Sequence, residues 1–148
     1  MTTRRPRKQV AWKARDLLGQ KHLFSALPRL VTVAPEDTLR HAAHLLQVYN
    51  LNQLAVLAEG RLVGSLAVST LLRLGARLPE ALEAPVREVM EKPLETVDEN
   101  ADYSVIVDQF ARDSSALVVT RGTAIVGILS PVDAVSPWLT ESGIEYEI

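Results

Sequence analysis

Cysteine is absent from the 148 residues, which excludes disulfides, thiolate metal sites and cysteine nucleophiles. No run of about 18 apolar residues occurs, and the basic N-terminus is not followed by an apolar signal core. Neither a membrane span nor export is therefore expected, and the cytoplasm is the default compartment. Aromatic residues are scarce at 5 %. Trp12 and Trp138, near the two ends, suit anchors for terminal helices better than a base-stacking platform. Acidic residues are almost missing from the first stretch, where only Asp16 opposes Arg4, Arg5, Arg7, Lys8, Lys13, Arg15, Lys21 and Arg29. Half of the 16 basic residues thus precede Leu30, and 17 of the 18 acidic ones (18 less Asp16) follow it, beneath a net charge of only -2. Such an arm could meet RNA, DNA or an acidic partner, or be a solvated tail. Nothing sets a nucleophile, base and orienter in a recognisable pattern, so no enzyme is expected. His41 and His44, three apart on a helix, have no carboxylate at metal-ligand spacing and read as solvated, so no metal site is expected.

What the sequence does have is 47 % hydrophobic residues and a pattern that occurs twice. Residues Met1 to Gln9 read as disordered, and Val10 to Gly19 as a helix with Val10, Ala14, Leu17 and Leu18 on one face and Gly19 as its stop. Leu23 to Leu27 suggests a further turn, ended by Pro28. Leu30-Val31-Thr32-Val33 reads as a strand. Ala34 to Thr38 then opens a helix that buries Leu39, Ala42, Ala43, Leu46 and Tyr49 and ends at Asn50. Gln53 to Leu57 and Arg61 to Ala67 form a hairpin about Glu59-Gly60, and Ser69 to Leu78 closes the unit as a helix. After a connector with short helical turns at Pro79-Leu82 and Pro85-Met90, the order recurs. Leu94-Glu95-Thr96-Val97 matches Leu30-Val31-Thr32-Val33, Val97 to Asp113 repeats the helix, Ser115 to Thr120 and Ala124 to Ser130 the hairpin, and Pro131 to Leu139 the closing helix. Thr32 to Thr96 is an offset of 64 and Gly64 to Gly127 one of 63, so one loop residue is missing from the second copy. The expected fold is α/β (α+β): two tandem strand-helix-strand-strand-helix units packed with pseudo-two-fold symmetry. The expected boundaries are a basic arm and helix over 1–29, units at 30–78 and 94–139, a connector at 79–93 and an acidic tail at 140–148.

The stretch richest in chemistry is Gly127-Ile128-Leu129-Ser130-Pro131-Val132-Asp133, where a buried strand enters a helix. Ser130 can cap that helix or give a hydroxyl to a ligand, and Pro131 suits its first turn. The two oxygens of Asp133 could accept a pair of hydrogen bonds from a ribose diol. Alternatively, Ser130 and Asp133 are the N-cap and N3 residues of a capping box that satisfies the helix's own donors. The first unit has Ala67 where the second has Ser130, and Thr70 where it has Asp133, so only the second junction is equipped to hold a diol.

These residues resemble the CBS domain family, whose tandem pairs, called Bateman modules, sense adenosine-containing ligands. The likeness covers about Leu30 to Leu139. Its most specific part is the Gly127-to-Asp133 stretch, which fits the family's glycine, apolar pair, Ser/Thr, two variable residues and Asp. Leu51-Asn52-Gln53-Leu54-Ala55-Val56-Leu57, Arg61 to Leu66 and Pro85 to Met90 are also similar to the regulatory region of bacterial cystathionine β-synthases, without a catalytic domain. The resemblance implies that Asp133 and Ser130, at the turn begun by Pro131, hold the sugar, and that Thr96, Val97, Ser115, Ala116 and Leu117 enclose the adenine. It implies a weaker first site at Thr32, Val33, Asn52, Gln53 and Thr70, in doubt because Ala67 and Thr70 depart from the pattern. The function implied is a non-catalytic sensor that needs no cofactor and binds AMP, ADP, ATP or S-adenosylmethionine in the cleft between units, mainly at the second. Partners implied are a second copy of the chain and a regulated enzyme. The cystathionine β-synthase likeness, with few basic residues near the second junction, tilts the expectation toward S-adenosylmethionine, Arg112 and Arg121 being the possible exceptions. The alternative is a nucleic-acid-associated or purely structural dimerisation module that uses the basic arm.

Overall fold

The structure, a computed structural model, describes residues 12–23, 30–113 and 115–142. The expectations for Met1 to Gln9, for the turn ended by Pro28 and for most of the acidic tail lie outside these residues. The chain divides into two compact units, one from Leu30 to Leu94, the other joining the N-terminal helix to the chain from Glu95 onward.

In the unit from Leu30 to Leu94, a three-stranded sheet is ordered β1 (Thr32–Val33), β2 (Gln53–Ala58), β3 (Arg61–Ala67). The β1–β2 pair is parallel, with Thr32 opposite Ala55; β2–β3 is an antiparallel hairpin with Gln53 opposite Ala67. Glu59 and Gly60 both take positive φ, which gives the turn a twist that matches the strands. Thr38 caps helix α2 (Leu39–Val48) by accepting the His41 N–H at 3.1 Å. Leu39, Ala42 and Leu46, spaced for one helical face, are buried with Val33, Leu54, Val56, Leu66, Leu71 and Val86. Helix α3 (Val68–Leu74) follows β3 without a break and runs through a 3₁₀ turn into α4 (Leu78–Ala81). The stretch after α4 folds back on its own unit: Leu39 N–H donates to Ala84 O, Val86 N–H to Asp37 O, and Glu91 exchanges two backbone bonds with Ser65.

The other unit repeats the plan. Strands β4 (Thr96–Asp98), β5 (Leu117–Arg121) and β6 (Ala124–Leu129) pair in that order, with helix α5 (Tyr103–Arg112) between β4 and β5. A 3₁₀ turn at Pro131–Val135 leads into α6 (Ser136–Ser142), so the closing helix expected from Pro131 starts more tightly wound than an α-helix. Its core holds Val97, Ile106, Leu117, Val119 and Leu129.

Helix α1 (Ala14–Leu23) belongs to this second core, contributing Ala14 and Leu17, both at 0 % exposure, and Leu18 at 4 %. It differs from the expected Val10-to-Gly19 helix: it starts later and passes through Gly19. A helical glycine costs about 1 kcal/mol relative to alanine. Burial of Leu17 and Leu18 on its N-terminal side outweighs that cost, and no backbone demand stops the helix at Gly19. Trp12 packs on the same core, whereas Trp138, expected as an anchor, is 53 % exposed. His41 and His44 are exposed on α2.

Candidate functional site

The register of the second sheet determines which of the sequence-picked residues meet. Thr96 lies opposite Val118 in the parallel pair, and Leu117 opposite Leu129 in the antiparallel one. The starts of β4 and β5 and the end of β6 therefore lie at one end of the sheet, which brings Thr96, Val97, Ser115, Ala116, Leu117, Ser130, Pro131 and Asp133 to a common edge. Their side chains divide: Val97 and Leu117 point into the core, Thr96 and Pro131 are exposed, and Ser115, Ser130 and Asp133 are partly buried. In the first unit Val33 is likewise a core residue, Asn52 is exposed and Thr70 is 8 % exposed. Thr32 and Gln53 are partly buried.

Asp133 is held by a reciprocal capping box with Ser130. Its Oδ2 accepts the Ser130 N–H at 2.7 Å and the Ser130 hydroxyl at 3.1 Å. A third bond to the same oxygen comes from far along the chain: Lys21 Nζ, on α1, lies 3.1 Å from Oδ2 and also donates to Ile128 O at 2.8 Å. The pair is well shielded, with side-chain exposures of 17 % for Lys21 and 12 % for Asp133. All three bonds fall on Oδ2, and no described residue bonds to Oδ1.

Lys21 overturns the expectation that the second junction is poor in cations. Sequence reading missed it because 112 positions separate it from Asp133. The signal that could have found it is its place one turn beyond Leu17 and Leu18 on the same helical face. That face is pinned because Leu18 fills the space over Gly127: a Cβ built there would lie 2.8 Å from Leu18 Cδ2. The two possible exceptions have partners of their own. Arg121, at the opposite end of β5, pairs with Glu99 at 2.9 Å, which raises its already high pKa, and Arg112 donates to Gln109.

The other described cations of the basic segment are also engaged within this unit. Lys13 bonds Asp102 at 2.7 Å, and Arg15 donates to Asn100. Tyr103, at the start of α5, donates its hydroxyl to Ala134 O at 2.5 Å, and burial raises its pKa. Among the described residues there is no group of three or more His, Cys, Asp or Glu side chains placed to hold a metal ion, and no helix is long and apolar enough to cross a membrane.

The repeated unit, with its strand-to-helix junction, matches the sequence model of the CBS domain twice, over residues 15–77 and 86–136. The chain belongs to the CBS-domain family. It carries a tandem CBS pair, a regulatory type of module, and the first match begins inside α1. A CBS-domain protein of unknown function from Bacillus anthracis superposes with a TM-score of 0.74 at 16 % identity, covering 93 % of this chain and 99 % of that one. The CBS domain of a membrane protein from Sphaerobacter thermophilus gives 0.71 at 22 %, covering 88 % and 90 %. A Methanocaldococcus jannaschii protein, proposed as an archaeal homologue of g-AMPK, gives 0.67 at 20 %; the CBS pair here covers 84 % of its own length and 53 % of that chain. No curated protein matches the sequence.

Proposed function

We propose that this CBS pair is a non-catalytic sensor whose second unit binds an adenosine-containing ligand, with Asp133 accepting hydrogen bonds from the ribose hydroxyls. The observation that carries this reading is the state of that carboxylate. It is shielded and oriented by Ser130, stands at the edge where three strand ends converge, and accepts its bonds from described residues through Oδ2, none of them through Oδ1. A capping role alone needs one oxygen; a diol needs the second as well. Thr70 at the matching place in the first unit offers a single hydroxyl, already in contact with Arg73 at 3.3 Å, so the first unit is the poorer binder. The likeness to the g-AMPK homologue accords with a nucleotide ligand, but at 20 % identity the weight rests on the junction.

AMP, ADP, ATP and S-adenosylmethionine all carry the required ribose. Binding would favour one conformation, read by a regulated enzyme or by a second copy of the chain. The alternative of an arm that contacts nucleic acid is weakened because Lys13, Arg15 and Lys21 are already occupied within the second unit. The test is a thermal-shift screen of the full chain against these four compounds. A ligand at about 100 times its Kd should add about 2.7 kcal/mol of stability, visible as a raised midpoint. The rise should vanish in Asp133→Ala and persist in Thr70→Ala. No shift with any of the four, or an undiminished shift in Asp133→Ala, would refute the assignment.

A further inference from the structure

We infer that Lys21 is the specificity residue of the second-unit site, and that it makes the site select a phosphate-bearing ribonucleotide over an uncharged nucleoside. The inference rests on the ribose assignment to Asp133. An ammonium has three N–H donors. Two are used, on Ile128 O and Asp133 Oδ2, and no described residue takes the third.

A ribose diol that engages both carboxylate oxygens competes with Lys21 for Oδ2. A neutral nucleoside that wins this contest leaves a cation 17 % exposed beside a backbone carbonyl, its counter-charge taken up by the sugar. Breaking a shielded pair from one side is costly because the remaining charge is left without compensation. A nucleotide avoids that cost by bringing an anion of its own, so that Lys21 exchanges a carboxylate for a phosphate while Asp133 exchanges an ammonium for hydroxyls. The lysine stem is long and flexible enough to carry the ammonium a few ångströms while α1 stays fixed. Fixed it is: Ala14, Leu17 and Leu18 are buried, and Ala14 and Arg15 N–H donate to Ala101 O and Glu99 O at 3.0 and 2.9 Å.

In the first unit the cation at the matching place, Arg73, contacts the Thr70 hydroxyl at 3.3 Å and is paired with Glu91 at 3.1 Å, so among the described residues no cation there rests on a carboxylate at the Asp133 position. Ser65 O, which matches Ile128 O, accepts the backbone N–H of Glu91 at 2.8 Å, a bond that cannot swing to a ligand.

The test is calorimetric titration of the full chain with AMP and with adenosine, for the wild type, Lys21→Met and Lys21→Arg. A charge-assisted contact to phosphate should make wild type prefer AMP by about ten- to hundredfold. Lys21→Met, which keeps most of the stem, should reduce that preference to about threefold or less while adenosine binds as well as before or better, and Lys21→Arg should retain most of it. Ligand-free thermal unfolding checks that each variant is folded. Equal affinity of wild type for the two ligands, or an equal loss of both in Lys21→Met, overturns the inference and leaves the ribose assignment standing. Failure of both ligands to bind wild type overturns the ribose assignment itself and this inference with it.

Discussion

The two strand-to-helix junctions, Gly64 to Thr70 and Gly127 to Asp133, start from the same fold and end differently. In the first, pairing continues to Gln53 opposite Ala67, and Val68 N–H donates to Asn52 O at 2.9 Å, so β3 stays zipped to β2 until the helix begins. In the second, pairing ends at Leu117 opposite Leu129. Pro131 stands where Val68 stood and has no N–H to give, and the Ser130 N–H turns to Asp133. A proline and an acid thus convert a closed strand end into one that is organised by a side chain. In the proposed reading, ligand capacity follows from where the backbone stops pairing, a property that duplication alone does not confer.

The covering elements differ in the same way, and removing them should give the largest effects. The second sheet is covered by α1, from the far end of the sequence, and the first by the stretch that holds Val86 and Met90. Leu17→Ala should cost about 2–5 kcal/mol in urea unfolding, as for other large-to-small changes at fully buried sites. Hydrogen exchange should then quicken in β4 to β6 and leave β2 and β3 protected. Loss of protection spread evenly over both sheets would break the division into two units.

The matching places of the two glycines, each at the middle of its unit's last strand, conceal another contrast. A Cβ at Gly64 would lie 2.6 Å from Met90 Sδ and 3.0 Å from the backbone oxygen of Glu91; at Gly127 only Leu18 side-chain atoms are that near. Met90 can swing aside, but Glu91 is bonded to Ser65 in both directions and cannot. Gly64→Ala should therefore destabilise by about 1–3 kcal/mol, and Gly127→Ala by a similar amount that Leu18→Val partly restores in the double variant. An absence of coupling between residues 18 and 127 would mean that α1 does not sit on that strand.

At the junctions themselves, Asp133→Ala removes a cap and leaves Lys21 without its counter-charge, an expected loss of about 1–3 kcal/mol without ligand. Thr70→Ala should cost less than about 1 kcal/mol, because the Arg73 contact it removes is long and Arg73 keeps its bond to Glu91 at 3.1 Å. Equal losses would mean that the two junctions are energetically alike.

How far these contrasts were legible in the sequence follows from the range of the interactions. The duplicated strands, the helix that opens over Ala34 to Thr38, the cap at Ser130 and the odd acid at position 133 are local patterns, and period and spacing reveal them. The closing helix's 3₁₀ start and the passage of α1 through Gly19 were not legible, because tertiary packing overrides local propensity there. Lys21 was the costliest miss. In the sequence it is one more cation in a basic segment; only the packing of Leu17 and Leu18 aims it at Asp133 and makes it part of the candidate site.

A last contrast concerns Tyr103, which stands where the first unit has Leu39. Leu39 is simply buried, whereas Tyr103 also ties the start of α5 to the turn containing Asp133 through its bond to Ala134 O. Tyr103→Phe should cost about 0.5–1.5 kcal/mol at neutral pH. Its pH dependence has a definite sign. Burial raises the phenol's pKa above 10.0 in the folded protein, so folding favours the protonated form. The contribution is complete below the unfolded value near 10 and is lost as pH rises through the folded value, since over that range the native state holds the proton more often than the unfolded one. The stability difference between wild type and Tyr103→Phe should therefore be constant from neutrality to about pH 9 and shrink above about pH 10, measured by urea unfolding at matched ionic strength. A difference that stayed flat would place the phenol in solvent and one that grew with alkalinity would place it beside a cation, and either would cut the tie between α5 and the second junction.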